Sequence, residues 1–299
     1  MKQLFIDKDF RSASLTRIKQ INGIVEEYQE MGYTLTLRQL YYQLVSRDII
    51  PNKQNEYDKL CTLVSDARRA GLIDWDAIED RTRYLRGWPK YKNPSDAIRR
   101  AARNYCIDLW EGQPCYVEVW VEKDALVDIV QHACSTYRVP FFSCRGFMSD
   151  SETYKAGLRM REMYDSGKEI VFLHLGDHDP SGLDMSRDIL ERVELFGDLS
   201  GKINFHRIAL NMDQIEELQP PPNPAKKTDT RYKKYREKYG AESWELDALD
   251  PATLQSIIEH SIEQYIDIPM FQKRKEQEDR EQMKLFDIAN IQEWESELE

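Results

Sequence analysis

Three acidic residues stand where they could hold a metal ion. Glu122 follows the apolar run "YVEVWV", and Asp177 and Asp179 follow the apolar run "EIVFLHLG". Parallel strands end at a common edge of their sheet, where ligands bind, so we expect the three carboxylates to converge. Clustered carboxylates repel one another unless a cation neutralises them, and Mg²⁺ prefers oxygen ligands and keeps positions open for substrate phosphates. The pattern therefore predicts a site for Mg²⁺, or for Mn²⁺, that handles phosphate.

The motif around the two aspartates is more specific than a common Asp-x-Asp turn. Gly176, Pro180 and Gly182 are the residues that a tight turn requires. The sequence contains no Walker-type lysine loop, no His-Glu-x-x-His and no Gly-x-Ser-x-Gly, so the main competing chemistries lack their residues. His174 and His178 are interpreted as hydrogen-bonded structural residues and are not assigned to the site.

A pair of adjacent tyrosines supplies a second reactive group. In "TLRQLYYQLV" a capping-box pattern precedes apolar residues at helical spacing. This spacing predicts that Tyr41 is buried and that Tyr42 shares the polar face of the helix with Arg38, one turn away. An arginine stacked on a tyrosine at this spacing needs no catalytic role. The predicted phosphate site is what makes Tyr42 a candidate nucleophile.

Composition limits the class of protein. The chain has 299 residues, is 41% hydrophobic and 32% charged, and is long enough for two packed domains. The charged N-terminus and the absence of a long apolar run predict neither a signal peptide nor a membrane span, and we expect a cytoplasmic protein. The five cysteines are odd in number and not spaced as zinc ligands, so we interpret them as reduced thiols.

The formal net charge is −11, which is unusual for a nucleic-acid-binding protein, but the charges are segregated. Acidic residues concentrate in the C-terminal tail, whereas residues 226–238 and 81–103 are basic, the second with interleaved aromatics. Each basic stretch could equally be a solvated helix face. We predict non-specific phosphate contacts, and hence salt-sensitive binding to double-stranded DNA, from Arg81, Arg83, Arg86, Lys90, Lys92, Arg99 and Arg100.

Two domains are expected, 1–111 and 112–299. Helical periodicity covers 13–31, 37–47, 54–70 and 95–110, and a β-like segment follows the third helix at 71–78. This order resembles a winged helix-turn-helix with a basic extension. From residue 116, predicted strands at 116–122, 139–144, 169–176 and 203–210 alternate with helices near 124–137, 150–165 and 180–196. The alternation predicts a mostly parallel sheet with helices on both faces, followed by C-terminal helices at 251–267 and 269–298.

These motifs resemble a known family. "VEKDAL" together with "GDHDPSG" is similar to the Toprim domain of topoisomerases, and "LRQLYY" resembles the Arg-x-x-Tyr-Tyr pattern of the winged-helix domain in the A subunit of topoisomerase VI. The chain departs from the family in "CRGFMSDSETYKA", where a Gly-x-Pro-Asp turn usually stands. It is also shorter than the usual A subunit and contains no segment like the ATPase of a B subunit. The fold implied is α+β and α/β, with a winged helix before a Toprim domain.

The resemblance implies a reaction and its residues. Tyr42 would attack a DNA phosphorus to give a 5′-phosphotyrosyl link, with Arg38 beside it and the metal held by Glu122, Asp177 and Asp179. It also implies a homodimer that cuts both strands, and it leaves open an ATPase partner of the B type. Two alternatives remain: a Toprim nuclease that hydrolyses DNA without the tyrosine, and a non-catalytic DNA-binding component of a larger complex.

The acidic tail contains the apolar interruption "QMKLF", residues 282–286. It resembles the short peptide by which bacterial replication and repair proteins bind the sliding clamp, with Gln282 as the polar contact and Leu285 and Phe286 as apolar anchors. The same residues could instead form one face of a helix that packs on the rest of the chain. Burial of the two apolar side chains distinguishes these interpretations.

Overall fold

The computed structural model describes residues 1–30, 32, 34–79 and 88–296, and for 291–296 it describes the backbone alone. The helices of this described part are α1 (Ser12–Glu30), α2 (Leu37–Ser46), α3 (Gln54–Arg69), α4 (Pro94–Arg103), α5 (Val127–Tyr137), α6 (Asp150–Asp165), α7 (Pro180–Gly197), α8 (Met212–Leu218), α9 (Tyr232–Tyr239), α10 (Pro251–Glu263) and α11 (Ile268–Ser296). The strands are β1 (Cys115–Val121), β2 (Phe141–Ser143), β3 (Glu169–Leu175), β4 (Ile203–Ala209), β5 (Asn223–Pro224) and β6 (Glu242–Ser243).

The N-terminal part is helical. Helices α1, α2 and α3 bury one apolar core that includes Ile21, Leu40 and Val64. Helix α2 begins with the expected capping box, in which the Gln39 amide donates to Thr36 Oγ1 at 3.2 Å and Gln39 Oε1 accepts from the Thr36 amide at 2.8 Å. The cap and the apolar stripe together set the register of this helix, as predicted.

The expected strand at 71–78 is wrong. In its place the chain bends, and Ile78 alone makes a parallel bridge, to Leu35. Asp74 and Asp76 bind the N-terminal ammonium group of Met1, so this segment lies beside residue 1. The described residues up to 79 therefore contain three helices and two isolated bridges. Residues 80–87 lie outside the described part of the chain.

The second half contains the predicted parallel sheet. Four strands lie in the order β2-β1-β3-β4 and every neighbouring pair is parallel. Side chains alternate between two faces, so that Val119 and Leu173 contribute to one apolar cluster with α5 and α10, while Trp120 and Phe172 contribute to another with α6 and α7. Helices cover both faces, which explains why these strands are almost continuously apolar. The mixed α/β architecture is thus confirmed.

Several elements differ from the sequence prediction. Helix α4 ends at Arg103 instead of near 110, and in the non-helical stretch beyond it Asp108 Oδ1 accepts from the Trp110 amide at 2.8 Å. Helix α4 packs against the C-terminal helix α11, and Ser95 Oγ donates to the Ala289 carbonyl. The short strand β5 pairs with β6, and neither these strands nor the short α8 and α9 were predicted. No described helix is long and apolar enough to span a bilayer.

Candidate active site

The ends of the two central strands bring the predicted acids together. Val121 and Leu175 are paired in register, and the Glu122 amide donates to the Leu175 carbonyl at 2.9 Å. Glu122 Oε2 in turn accepts from the amide of Asp177 at 2.9 Å. Strand register therefore places Glu122 and Asp177 side by side at the carboxyl edge, where the sequence placed them.

The two aspartates have different partners. Asp177 Oδ1 accepts from the Leu246 amide at 2.7 Å, and its Oδ2 lies 3.1 Å from Lys123 Nζ. Asp179 caps the start of α7, where its Oδ1 accepts from the Gly182 amide at 2.6 Å. All three predicted acids line one cleft, but no three His, Cys, Asp or Glu side chains of the described residues are already grouped as metal ligands.

Burial raises the pKa values of two acids at this edge. Burial raises the pKa of Glu122 to about 8, and the neighbouring Asp177 adds to the increase. Burial also raises the pKa of Asp177 to about 6, even though Lys123 opposes the change. Two carboxyl groups with raised pKa values in one cleft are what an added cation would stabilise as carboxylates.

Two glycines leave room for the carboxylate of Glu122 because they have no side chain. A Cβ atom at Gly176 would lie 2.9 Å from Glu122 Oε2, and one at Gly182 would lie 3.0 Å from the same oxygen. Gly182 also approaches the Asp177 backbone too closely for any side chain. The glycines that the sequence assigned to turn geometry therefore also keep a side chain out of the acidic site.

Sequence reasoning missed three acids of this cleft, Asp124, Glu245 and Asp247, and the last two bind Lys123. Lys123 Nζ lies 2.8 Å from Glu245 Oε2 and 2.8 Å from Asp247 Oδ1, besides its contact with Asp177. Burial disfavours the charged ammonium, but these acids together raise the pKa of Lys123 above its ordinary value. The sequence signal in this segment is the alternation of acids in "WELDALD". No predicted strand leads into it, so the sequence did not predict that it lies at the sheet edge.

Arg38 joins the same ion-pair network from the N-terminal helices. Its Nη2 lies 2.7 Å from Glu245 Oε2, and its Nε lies 3.3 Å from Asp247 Oδ2. Burial disfavours ionisation of Glu245, but Lys123 and Arg38 outweigh it and lower the pKa of Glu245 to about 2. The network thus holds α2 against the segment that follows β6.

The prediction that Tyr42 lies on an open polar face is wrong. Tyr42 is only 3% exposed, because the segment carrying Glu245 and Asp247 covers that face of α2. Its hydroxyl lies 3.4 Å from Arg38 Nη2, as the spacing predicted. Burial raises the pKa of Tyr42, and Asp247 and Glu245 raise it further, so that Arg38 does not compensate. The phenol is therefore neutral and covered in this arrangement.

Tyr41 is buried at 5% exposure, as predicted. Its hydroxyl accepts from the Lys53 amide at 2.8 Å and lies 3.0 Å from Asn52 Oδ1. Both rings belong to the helical core, but their hydroxyl groups differ in surroundings, since that of Tyr41 contacts Asn52 and Lys53 and that of Tyr42 lies beside Arg38 of the ion-pair network.

The acids open onto a cleft of about 470 Å³ between the two halves of the chain. Cations and acids line it together, so the cleft has charged groups of both signs suited to a phosphodiester and a bound cation. The charged residues that line it are Arg38, Glu122, Lys123, Asp124, Arg145, Asp177, Asp179, Lys226, Glu245 and Asp247.

The predicted DNA-contacting residues fall into two groups. Arg81, Arg83 and Arg86 lie outside the described residues. Lys90, Lys92 and Arg100 are exposed, whereas Arg99 is half-buried and donates to Asn290 Oδ1 at 3.2 Å. The exposed aromatics beside them include Trp88 at 91% exposure and Tyr91, whose ring lies 5.8 Å from the Arg100 guanidinium. The described cations of this group lie on and before α4, and none of them lines the acidic cleft.

The histidines left out of the site are hydrogen-bonded, as predicted. His178 Nδ1 lies 2.9 Å from the Tyr235 hydroxyl, and His174 Nδ1 lies 3.0 Å from Ser186 Oγ. Burial lowers the pKa of His174 to about 3 and that of His178 to about 4, and the nearby Arg207 adds to both decreases. Both rings are therefore neutral at physiological pH.

The "QMKLF" segment lies inside helix α11. Gln282, Leu285 and Phe286 are half-buried, while Met283 is 58% exposed. Because the segment is helical and α11 packs on α4, the burial favours the packing interpretation. Binding to a sliding clamp stays a prediction.

No known family model, curated protein or solved structure matches this chain. The functional argument therefore depends on the residues of the cleft and on their geometry.

Proposed function

We propose that this protein cleaves DNA phosphodiesters at the acidic cleft, in a metal-dependent reaction like that of the topoisomerase VI A subunit. One observation carries the proposal: Glu122, Asp177 and Asp179 line a single cleft with Arg38 and Lys123. Carboxylates suit a divalent cation, and arginine and lysine suit the phosphate that it would bind.

The residues fit Mg²⁺ or Mn²⁺ in their chemistry. Burial, and to a smaller extent neighbouring carboxylates, raise the pKa values of Glu122 and Asp177, a change that a bound cation would oppose, and the ligand atoms are all oxygens. Glu122 and Asp177, with Asp179, would hold the ion. When bound, a divalent cation stabilises negative charge on a phosphate and its leaving oxygen. Because Lys123 already binds Asp177 Oδ2 at 3.1 Å, loading would require the lysine to give up part of this contact.

Tyr42 is the proposed nucleophile. Its hydroxyl oxygen would form a bond to phosphorus, the bond from phosphorus to the 3′ oxygen would break, and the leaving oxygen would take up a proton. Asp247 is the candidate acceptor of the phenolic proton, since it is 2% exposed and its charge acts on Tyr42. Its Oδ2 has an ion-pair contact with Arg38 at 3.3 Å but no hydrogen bond within the described part of the chain. Arg38 would stabilise the phenolate.

Because Tyr42 is buried, the segment around Glu245 and Asp247 would have to shift enough to admit a phosphate while Asp247 stays within reach of the phenol. A substrate phosphate would compete with these carboxylates for Arg38, which binds both of them. Cleavage of both strands would take two copies of the chain, since each carries one tyrosine at this position and one acidic cleft.

Hydrolysis without the tyrosine is the second candidate. The observation in its favour is the 3% exposure of Tyr42 together with its raised pKa, because both oppose nucleophilic attack. In this mechanism the same acids would hold a cation that activates water to attack phosphorus, and the cleaved DNA ends would carry free 5′-phosphate.

The test uses the full chain with supercoiled and linear DNA and with Mg²⁺ or Mn²⁺, followed by denaturation and analysis of DNA ends. Tyr42→Phe is compared with Tyr41→Phe, which removes the same hydroxyl from the neighbouring residue. Loss of a 5′-linked adduct in Tyr42→Phe alone supports transesterification. Equal amounts of free 5′-phosphate ends from wild type and Tyr42→Phe identify hydrolysis.

Two outcomes would remove the proposal. Cleavage that persists in Asp177→Asn and in the presence of EDTA would show that the acidic cleft is not the site. DNA binding that needs no metal and is never followed by cleavage would identify a non-catalytic DNA-binding component.

A further inference from the structure

A basic ridge, residues 226–238, stands beside the acidic cleft. Within the described residues its exposed cations form no ion pair, so their charge is available to a ligand. They are Lys226, Lys227, Lys233, Lys234, Arg236 and Lys238. Arg231 differs from them, because it is held by Asp184 at 2.7 Å and by Asp229 at 2.8 Å.

Helix α9 of the ridge is anchored to His178, which lies between the candidate metal ligands Asp177 and Asp179. Tyr235 of α9 is only 4% exposed, and its hydroxyl lies 2.9 Å from His178 Nδ1 and 3.0 Å from the Glu242 carbonyl oxygen. The His178 ring also packs edge-on against Tyr239 at 4.7 Å. Because His178 lies between Asp177 and Asp179, α9 has a fixed position relative to the acids.

The ridge borders two concave surfaces. At its start, Lys226 lines the acidic cleft. At its other end, Lys234 and Lys238 line a groove of about 290 Å³ between α9 and α7, together with Arg187 and Arg231. A row of cations therefore runs from this groove to the candidate catalytic acids.

We propose that the basic ridge binds the phosphate backbone of double-stranded DNA and leads it to the cleft. The destination of the DNA rests on the proposed function, but the binding itself does not. Five of the six exposed cations are lysines, which bind phosphates as point charges and read no base sequence. DNA held here would lie next to Lys226, which lines the cleft with the acids, whereas none of the described basic residues near α4 lines it.

The test is a DNA-binding titration in EDTA, so that no cleavage takes place, at several salt concentrations between about 50 and 200 mM. The ridge variant combines Lys233→Ala, Lys234→Ala and Lys238→Ala. The control combines Lys155→Ala, Lys202→Ala and Lys275→Ala, which are exposed, lie outside the ridge and change the net charge equally. All six side chains are exposed, so both variants are expected to fold, which circular dichroism checks.

The ridge variant is expected to bind more weakly and to flatten the slope of log K against log salt by about 2.7, since each lost phosphate contact accounts for about 0.9. The control is expected to keep the wild-type slope. Equal effects of the two variants, or no effect of the ridge variant, would overturn the proposal. Wild-type protein that binds no DNA would overturn it as well.

Cleavage assays separate this inference from the proposed function. If DNA binding depends on the ridge but no cleavage takes place in Mg²⁺ or Mn²⁺, the DNA-binding role of the ridge is supported and the proposed reaction is excluded. If the ridge variant binds and cleaves DNA with wild-type affinity and rate, the proposed reaction is supported and the DNA-binding role of the ridge is excluded.

Discussion

Arg38 Nη2 lies 2.7 Å from Glu245 Oε2, although 207 positions separate the two residues in the chain. The same carboxylate oxygen lies 2.8 Å from Lys123 Nζ. A single glutamate thus connects α2, which carries Tyr42, with the end of the strand that carries Glu122. Any ligand that draws Arg38 or Lys123 toward phosphate must weaken this connection.

Asp247→Asn is expected to lower the pKa of Tyr42. The Asp247 carboxylate disfavours the phenolate, and its removal leaves Arg38 and Lys123 acting on the ring with less opposition. The pKa can be followed by NMR of ¹³C-labelled tyrosine, with Tyr42→Phe identifying the resonance. Asp229→Asn is the control, because Asp229 pairs with Arg231 in the basic ridge. An unchanged Tyr42 titration in Asp247→Asn would contradict the electrostatic argument.

Glu122→Gln is expected to make the metal-free protein less sensitive to alkaline pH. The folded-state pKa of Glu122 is about 8, above its ordinary 4.5, so the native state favours the protonated form. Stability from this group is therefore fully present below about pH 4.5 and is lost as pH rises through about 8, by a few kcal/mol at most. Glutamine keeps the neutral shape and removes this loss.

The measurement is the free energy of unfolding in urea with EDTA, at about pH 5 and about pH 9. Glu217→Gln, an exposed change on α8, is the matched control and should follow the wild type. If Glu122→Gln loses as much stability as the wild type between these pH values, Glu122 does not titrate as described.

Gly182→Ala is expected to destabilise the fold by about 1–3 kcal/mol, since the added Cβ collides with the Asp177 backbone and approaches Glu122 Oε2. The displaced carboxylates should also bind Mn²⁺ more weakly, which calorimetry can measure. Gly23→Ala provides a contrast: no atom lies within 4 Å of its added Cβ on α1, so this change should stabilise the protein by about 0.5–1 kcal/mol. Equal effects at the two glycines would show that the close approach at Gly182 is unimportant.

Leu285→Ala combined with Phe286→Ala is expected to lower the melting temperature, because both side chains are half-buried in a helix that packs on α4. Met283→Ala, at a 58% exposed position, should leave it almost unchanged. A peptide spanning 278–290 tests the other interpretation. Binding of this peptide to a bacterial sliding clamp, with a double variant that melts like wild type, would restore the docking interpretation.

Local signals in the sequence determined most of the secondary structure and part of the site. The capping box and apolar stripe of α2 predicted its start, its register and the burial of Tyr41, because those interactions lie within one helical turn. The apolar runs before Glu122 and Asp177 predicted adjacent strand ends, since parallel strands share a carboxyl edge. The short α8 and α9 were missed because their few residues give little periodicity.

Only the tertiary structure decided the surroundings of the reactive groups. Tyr42 has an outward position in the local pattern of α2, but a segment some 200 residues away covers it with Glu245 and Asp247. Helical periodicity shows which side chains share a face, and it contains no information about what packs on that face. Ion pairs between distant residues depend on how the two halves of the chain meet, which is why the burial of Tyr42 and the partners of Lys123 required the folded structure.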